Sequence, residues 1–246
     1  MLLDHPWQIP SSTLSTGSCR VEYHLDAVRL EADVVDVGDI PFENCDPVRE
    51  FPAWRGKRHH SGLLWMERTG RHVPFESLAE RSCLIELDRT PGVALVSSQP
   101  MWIRWGGENP EAHAPDYFVR FEDGSGMVVD VRPLARIDER ATRQFNRTAA
   151  LCRDCGWDYA VYAPDSEVRD ANMRFLMRFR EEGWRSLEAE STVRGADGTI
   201  ESIARILESH GDGLARCFSL IWTGHLAVDL DEPLSLRSAV WWKESQ

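Results

Sequence analysis

One stretch in the middle of the chain limits the possible folds more than any other. Tyr117, Phe118, Val119, Arg120 and Phe121 run into the turn signal Glu122-Asp123-Gly124, and Met127, Val128, Val129, Asp130 and Val131 return. Strong β-formers on both arms predict an antiparallel hairpin. Asp116 and Asp130 lie seven residues either side of Asp123, so the turn makes them near neighbours across the pair. Two carboxylates held that close repel each other unless one is protonated or a cation lies between them.

The surrounding pattern is α/β. Residues 63–66 and 72–73 read as a hairpin turning at Thr69-Gly70, and Pro74 opens a helical pattern over 74–88 that Thr90-Pro91-Gly92 closes. Strands are predicted over 93–97 and 101–105, with a bend at Pro100, before the loop 106–115. Downstream, 136–155 reads as a helix with Ala141, Phe145, Thr148 and Cys152 along one stripe and Gly156 as its stop. A strand over 157–162 and a helix over 168–180 follow. Beyond 183, Ile200, Ile203 and Leu207, then Leu214, Phe218 and Ile221, fall at helical spacing ahead of a closing hairpin, 226–228 with 234–242. Helices followed by a two-stranded wing suggest a small winged-helix domain. Three regions are therefore expected: an acidic 1–54, with alternation at Val34 to Val37 and no legible chemistry, a core over 55–180, and the winged part over 183–246.

Charge narrows the function. The chain of 246 residues carries a net charge of −12, which argues against a protein that binds polyanions with its whole surface. Residues 49–72 are the exception, with six Arg or Lys against two acids. Within them Arg55, Lys57, Arg58, His59 and His60 form a basic island that reads either as a solvated loop or as a strip that docks DNA. Arg143 and Arg147, one turn apart, are candidates for the same groove or an ordinary surface pair. Six Cys without an export signal read as reduced thiols, and the Cys152–Cys155 pair has no second pair at zinc-like spacing. No apolar run is long enough to span a membrane, and a cytoplasmic location is expected. No phosphate-cradling Gly-rich loop with Lys-Ser/Thr occurs, so ATP use is not expected.

A third acid joins the two aspartates. Glu80 precedes Leu84 and Leu87 by four and seven residues, so a carboxylate points where the apolar stripe of its helix expects a Leu. Burying an unpaired carboxylate is costly, and a metal removes that cost. Mg²⁺ suits hard oxygen ligands, with Mn²⁺ as its expected substitute. Singly, a strand cap for Asp116, a salt bridge from Asp130 to Arg132 and a half-exposed Glu80 are the blander readings; jointly, in this order, the three favour a site.

That order, helix-Glu then Pro115-Asp116 then Asp130-Val131-Arg132, resembles the PD-(D/E)xK nuclease motif. The longer string Phe75-Glu76-Ser77-Leu78-Ala79-Glu80, Pro91-Gly92-Val93, Ser98-Gln99-Pro100, His113-Ala114-Pro115-Asp116-Tyr117-Phe118-Val119, Asp123-Gly124 and Val129-Asp130-Val131-Arg132-Pro133 resembles the TnsA-like endonuclease subunit of heteromeric transposases. The resemblance covers residues 55–180, about half of the chain. It implies a restriction-endonuclease-like αβββαβ core with a mixed sheet that cuts DNA with Mg²⁺, on the strand not transferred. It implies that Glu80, Asp116, Asp130 and the Val131 carbonyl hold metal, and that a TnsB-like DDE transposase and a TnsC-like ATPase are partners. Arg132 stands where the family has Lys; a guanidinium stabilises charge but does not release a proton near neutral pH. Gln99 and His113 fall inside the string and are expected to support the ligands rather than react. A stand-alone defence or repair nuclease, or a catalytically silent assembly subunit that docks DNA or the ATPase, are the alternatives.

Overall fold

The computed structural model describes residues 6–10, 12–49, 60–107 and 110–243. The protein is mixed α/β and divides into two compact units, 1–165 and 166–246. The boundary differs from the sequence reading. The described residues before 50 fall in the same unit as those of the expected core, and the helix expected over 168–180 falls in the second unit.

In the first unit β1 (Trp7–Gln8), β2 (Cys19–Leu25), β3 (Val28–Asp33), β4 (Gly62–Met66) and β5 (Arg71–Phe75) precede helix α1 (Leu78–Arg89). Then come β6 (Val93–Ser98), β7 (Met101–Trp105), β8 (Glu111–His113), β9 (Tyr117–Phe121), β10 (Gly126–Val131), α2 (Glu139–Asp154) and β11 (Asp158–Tyr162). One sheet has the order β1-β11-β10-β9-β6, a second β3-β2-β7-β8, and β4 pairs with β5 alone. Strands β6, β9 and β10 are antiparallel neighbours, whereas β10 and β11 are parallel, as a crossover through α2 requires.

The hairpin register centres on Asp123. Arg120 pairs with Gly126 and Tyr117 with Val129, so one further step sets Asp116 opposite Asp130. Side chains alternate across this sheet. Phe118 and Val128 enter a core with Phe42, Trp105, Phe145, Leu151 and Trp157. The rings of Phe42, Phe118 and Trp157 lie 5.3–5.7 Å apart, and each such buried side chain contributes about 1.5–3 kcal/mol. Tyr117 and Val129 take the other face, where the Tyr117 hydroxyl donates to the Pro74 carbonyl at 3.4 Å and α1 packs.

Several local expectations shift. Helix α1 starts at Leu78 rather than at 74, because Ser77 caps it by accepting the Glu80 N–H while Pro74 and Phe75 complete β5. Val34–Asp36 is a single 3₁₀ turn, and the strands lie just before it. The predicted pair 93–97 and 101–105 splits between the two sheets. Helix α2 starts at Glu139 with Asp138 as its cap, and its stripe Ala141, Phe145, Thr148 and Cys152 is buried. All six cysteines are free thiols.

The second unit contains α3 (Glu167–Leu176), α4 (Leu187–Val193), β12 (Asp197–Thr199), α5 (Ile200–Leu207), α6 (Gly213–Trp222), β13 (Leu226–Val228) and β14 (Ala239–Trp242). Its antiparallel sheet has the order β12-β14-β13. Thr199 and Ser202 cap α5 reciprocally. Ile203, Leu207, Ile221, Leu226 and Val240 are buried, whereas Trp241 is 45% exposed. Asn172 donates to the carbonyls of Leu230 and Glu232 at 2.8 and 2.9 Å, which ties α3 to the β13–β14 connection. Among the described residues no helix is long and apolar enough to cross a membrane.

Candidate active site

The site forms where β9–β10 pairing stops. Beyond Tyr117–Val129 the Val131 N–H has no strand partner in β9, and it donates instead to the Asp116 carboxylate at 2.7 Å. The Asp116 carbonyl accepts the Gln99 N–H at 2.8 Å, which holds this strand end against β6. Gln99 is buried in the left-handed region at φ +47°, a conformation that is costly for a residue with a Cβ.

Asp130 projects toward the α2 side, on the face of Val128. His113 Nε2 reaches its two oxygens at 2.8 and 3.0 Å, and the Tyr159 hydroxyl donates to Oδ2 at 2.6 Å. Gln144, on α2, donates to His113 Nδ1 at 2.8 Å, so His113 Nε2–H is left to donate to Asp130. Glu80 arrives from α1, on the opposite face. Its carboxylate accepts the Glu76 N–H at 2.7 Å and the Ser77 hydroxyl at 2.8 Å.

Asp116 sits electrostatically between the other two. Desolvation, then the charges of Asp130 and Glu80, push its carboxyl well above the usual range, against the Val131 N–H and the Arg49 guanidinium. Desolvation chiefly raises Glu80 too; Glu76 adds to the rise, while its hydrogen bonds and Arg49 oppose it. An Asp116 carboxyl raised by the charges of Asp130 and Glu80 belongs to a donor set that a hard divalent cation would relieve. Their chemistry fits such an ion. Their placement offers no ready-made cage, and among the described residues no three His, Cys, Asp or Glu side chains are gathered to hold a metal. The reason is geometric: Glu80 and Asp130 approach from opposite faces, and each carboxylate is already engaged by local donors.

The remaining expected residues divide. Gln99 and His113 touch the site as described. Arg132 does not reach the acids; its Nε donates to the Arg136 carbonyl at 2.9 Å, and it makes no ion pair with Glu80, Asp116 or Asp130. The Val131 N–H donates to the Asp116 carboxylate. Arg147 pairs with Glu111 at 2.6 Å and stacks on Trp105 at 4.6 Å, and Arg143 approaches Glu139 at 3.9 Å. His60 is exposed, and Arg55, Lys57, Arg58 and His59 lie outside the described residues.

Three residues at the site were not singled out by the sequence: Arg49, Gln144 and Tyr159. Arg49 pairs with Glu76 at 2.8 Å and donates to Gln99 Oε1 at 2.9 Å, and Gln99 donates back to Glu76 at 3.1 Å. Arg49 lies in the segment without legible chemistry. Tyr159 and Gln144 reach the site only through tertiary packing, Tyr159 from β11 beside β10 and Gln144 from α2. No protein-family model and no curated protein matches this chain.

Proposed function

We propose that the protein is a Mg²⁺-dependent DNA endonuclease subunit of a TnsA-like transposition system, hydrolysing phosphodiester bonds on the non-transferred strand at transposon ends. The observation that carries this reading is the succession α1, β6, β9, β10, α2, β11 within one sheet, with Asp116 and Asp130 opposite each other at the strand ends and Glu80 on α1 within electrostatic reach. That succession supports a restriction-endonuclease-like αβββαβ core. Strands β7 and β8 are then an insertion that pairs with the N-terminal strands.

Glu80, Asp116, Asp130 and the Val131 carbonyl would hold the cation, which supplies charge stabilisation to a phosphodiester under hydrolysis. The chain's own residues set up the acids. Tyr159 and His113 orient Asp130, Gln99 fixes the backbone of Asp116, and Arg49 moderates the repulsion between Asp116 and Glu80.

The helices and the β12-β14-β13 sheet of 166–246 support a winged-helix reading. Its helix α6 is poorly suited to a DNA groove. Cys217, Phe218, Leu220, Ile221 and Trp222 are buried, and Arg216 is held by the carbonyls of His210 and Gly211. A TnsC-like ATPase is the partner we assign to this unit, and a TnsB-like DDE transposase the partner that completes the reaction. A silent assembly subunit is the second reading, favoured by Arg132 turning away from the acids.

The test is cleavage of end-containing DNA in Mg²⁺. Asp130→Asn should abolish cutting, by about 10³-fold or more, with the melting transition retained. An unchanged rate rejects the nuclease assignment.

A further inference from the structure

A surface cavity of about 320 Å³ lies on the α2 side of the acids, lined by Arg132, Asp138, Arg140, Ala141, Gln144 and Phe145. Its charge is asymmetric. Arg132 is anchored through Nε on the Arg136 carbonyl at 2.9 Å, which sets its guanidinium at the cavity rather than over the carboxylates. Arg140 and Gln144 are one turn apart and share a face of α2. Asp138, the acid of the lining, already accepts the Ala141 N–H at 2.8 Å. Among the described residues neither Arg132 nor Arg140 forms an ion pair, although the Arg132 charge helps to lower the Asp138 carboxyl, so two guanidinium groups face one carboxylate.

The cavity is connected to the acids. Gln144 forms part of its wall and donates to His113 Nδ1 at 2.8 Å, and His113 Nε2 reaches Asp130 at 2.8 Å. Gln144 in the cavity wall therefore lies two hydrogen bonds from Asp130.

We propose that this cavity is a phosphate subsite, in which Arg132 and Arg140 grip a DNA backbone phosphate beside the phosphodiester presented to the acids. The identity of the ligand as DNA rests on the nuclease reading; the cationic character of the cavity does not. Guanidinium forks match phosphate oxygens in pairs. In a chain of net charge −12, backbone contact has to be concentrated where bases outnumber acids. The proposal also gives Arg132 work that its position allows, which is holding the strand rather than acting at the reacting phosphate.

Anisotropy of a labelled duplex oligonucleotide titrated with the full chain, across a series of salt concentrations in Ca²⁺ buffer, tests this. Arg140→Ala should weaken binding about tenfold and flatten the dependence of log K on log salt by about one. Arg140→Lys should keep the slope and recover part of the affinity. Arg205→Ala, which removes an exposed arginine of α5, should change neither. Equal affinity and slope for wild type and Arg140→Ala overturn the subsite, as does a wild-type chain with no salt-dependent DNA binding. Preferential displacement by inorganic phosphate or a mononucleotide overturns DNA as the ligand. Cleavage in Mg²⁺, measured in parallel, separates the two ideas. A chain that binds through Arg140 and never cuts keeps the subsite and loses the nuclease; one that cuts and binds equally well without Arg140 does the reverse.

Discussion

The two units bury different chemistry. In 1–165 the interior holds Glu22, Glu80, Glu86, Asp88 and Asp130, whereas in 166–246 the buried polar side chains among the described residues are Asn172 and Ser219. The second interior is a neutral one, and its tightest constraint is backbone contact: a Cβ on Gly213 would meet the Ala204 carbonyl oxygen at 2.1 Å. Within the first unit the acids differ again. Desolvation works against the Glu22 carboxyl, yet Arg104 and Arg29, at 2.9 and 2.8 Å, hold it below its ordinary range. Asp116 and Glu80 move the other way. A fold that supplies two arginines to Glu22 and leaves Asp116 facing two further acids has kept a repulsive cluster, and such clusters mark functional sites more often than structural ones.

Substitutions can break this contrast, and the largest effect belongs to the neutral unit. Gly213→Ala forces a side chain onto a backbone oxygen, which cannot rotate away. It should destabilise α5 and α6 by more than about 3 kcal/mol, seen as lost amide protection there, while β9 and β10 keep theirs. Tyr159→Phe comes next. It removes a buried donor to the Asp130 carboxylate and should cost about 2 kcal/mol in urea unfolding; a neutral result would mean that His113 alone satisfies Asp130.

Asp116→Asn should act in the opposite direction. An acid whose folded pKa lies above its unfolded value stabilises the fold fully below the unfolded pKa and loses that contribution as pH rises through the folded one. The Asn variant keeps an acceptor for the Val131 N–H without the charge. It should therefore melt about 2–4 °C higher at neutral pH, equivalent to ~1 kcal/mol for a chain of this size. The advantage should vanish below about pH 4. Equal melting at both pH values would remove Asp116 from the repulsive cluster.

What was legible follows from where the information lies. The β9–β10 hairpin was readable because both arms carry β-formers around Asp-Gly, and its register followed from counting residues about Asp123. The β2–β3 hairpin was not. Its two turn residues, Asp26 and Ala27, both have positive φ, yet the sequence lacks the Asn-Gly or Asp-Gly pair that announces such a turn. Strand β8 hid in a Gly- and Pro-rich loop, although it carries His113 to Asp130. The acids themselves were legible one by one, as carboxylates in apolar patterns. Their partners Arg49, Gln144 and Tyr159 were not, since each arrives through a contact between distant segments. Arg132 was expected near the metal ligands because it follows Asp130 by two residues, but β10 ends at Val131 and the chain turns toward α2 there.

The proposed nuclease reading requires that Glu80, Asp116 and Asp130 together bind a divalent cation. Titration of Mn²⁺ into the full chain, read by loss of the free-ion electron paramagnetic resonance signal, tests it without reference to DNA or partners. Wild-type protein should take up Mn²⁺ in competition with Mg²⁺, and Asp130→Asn and Glu80→Gln should each lose that uptake while remaining folded. Undiminished uptake by both variants, or none by the wild type, would contradict the account.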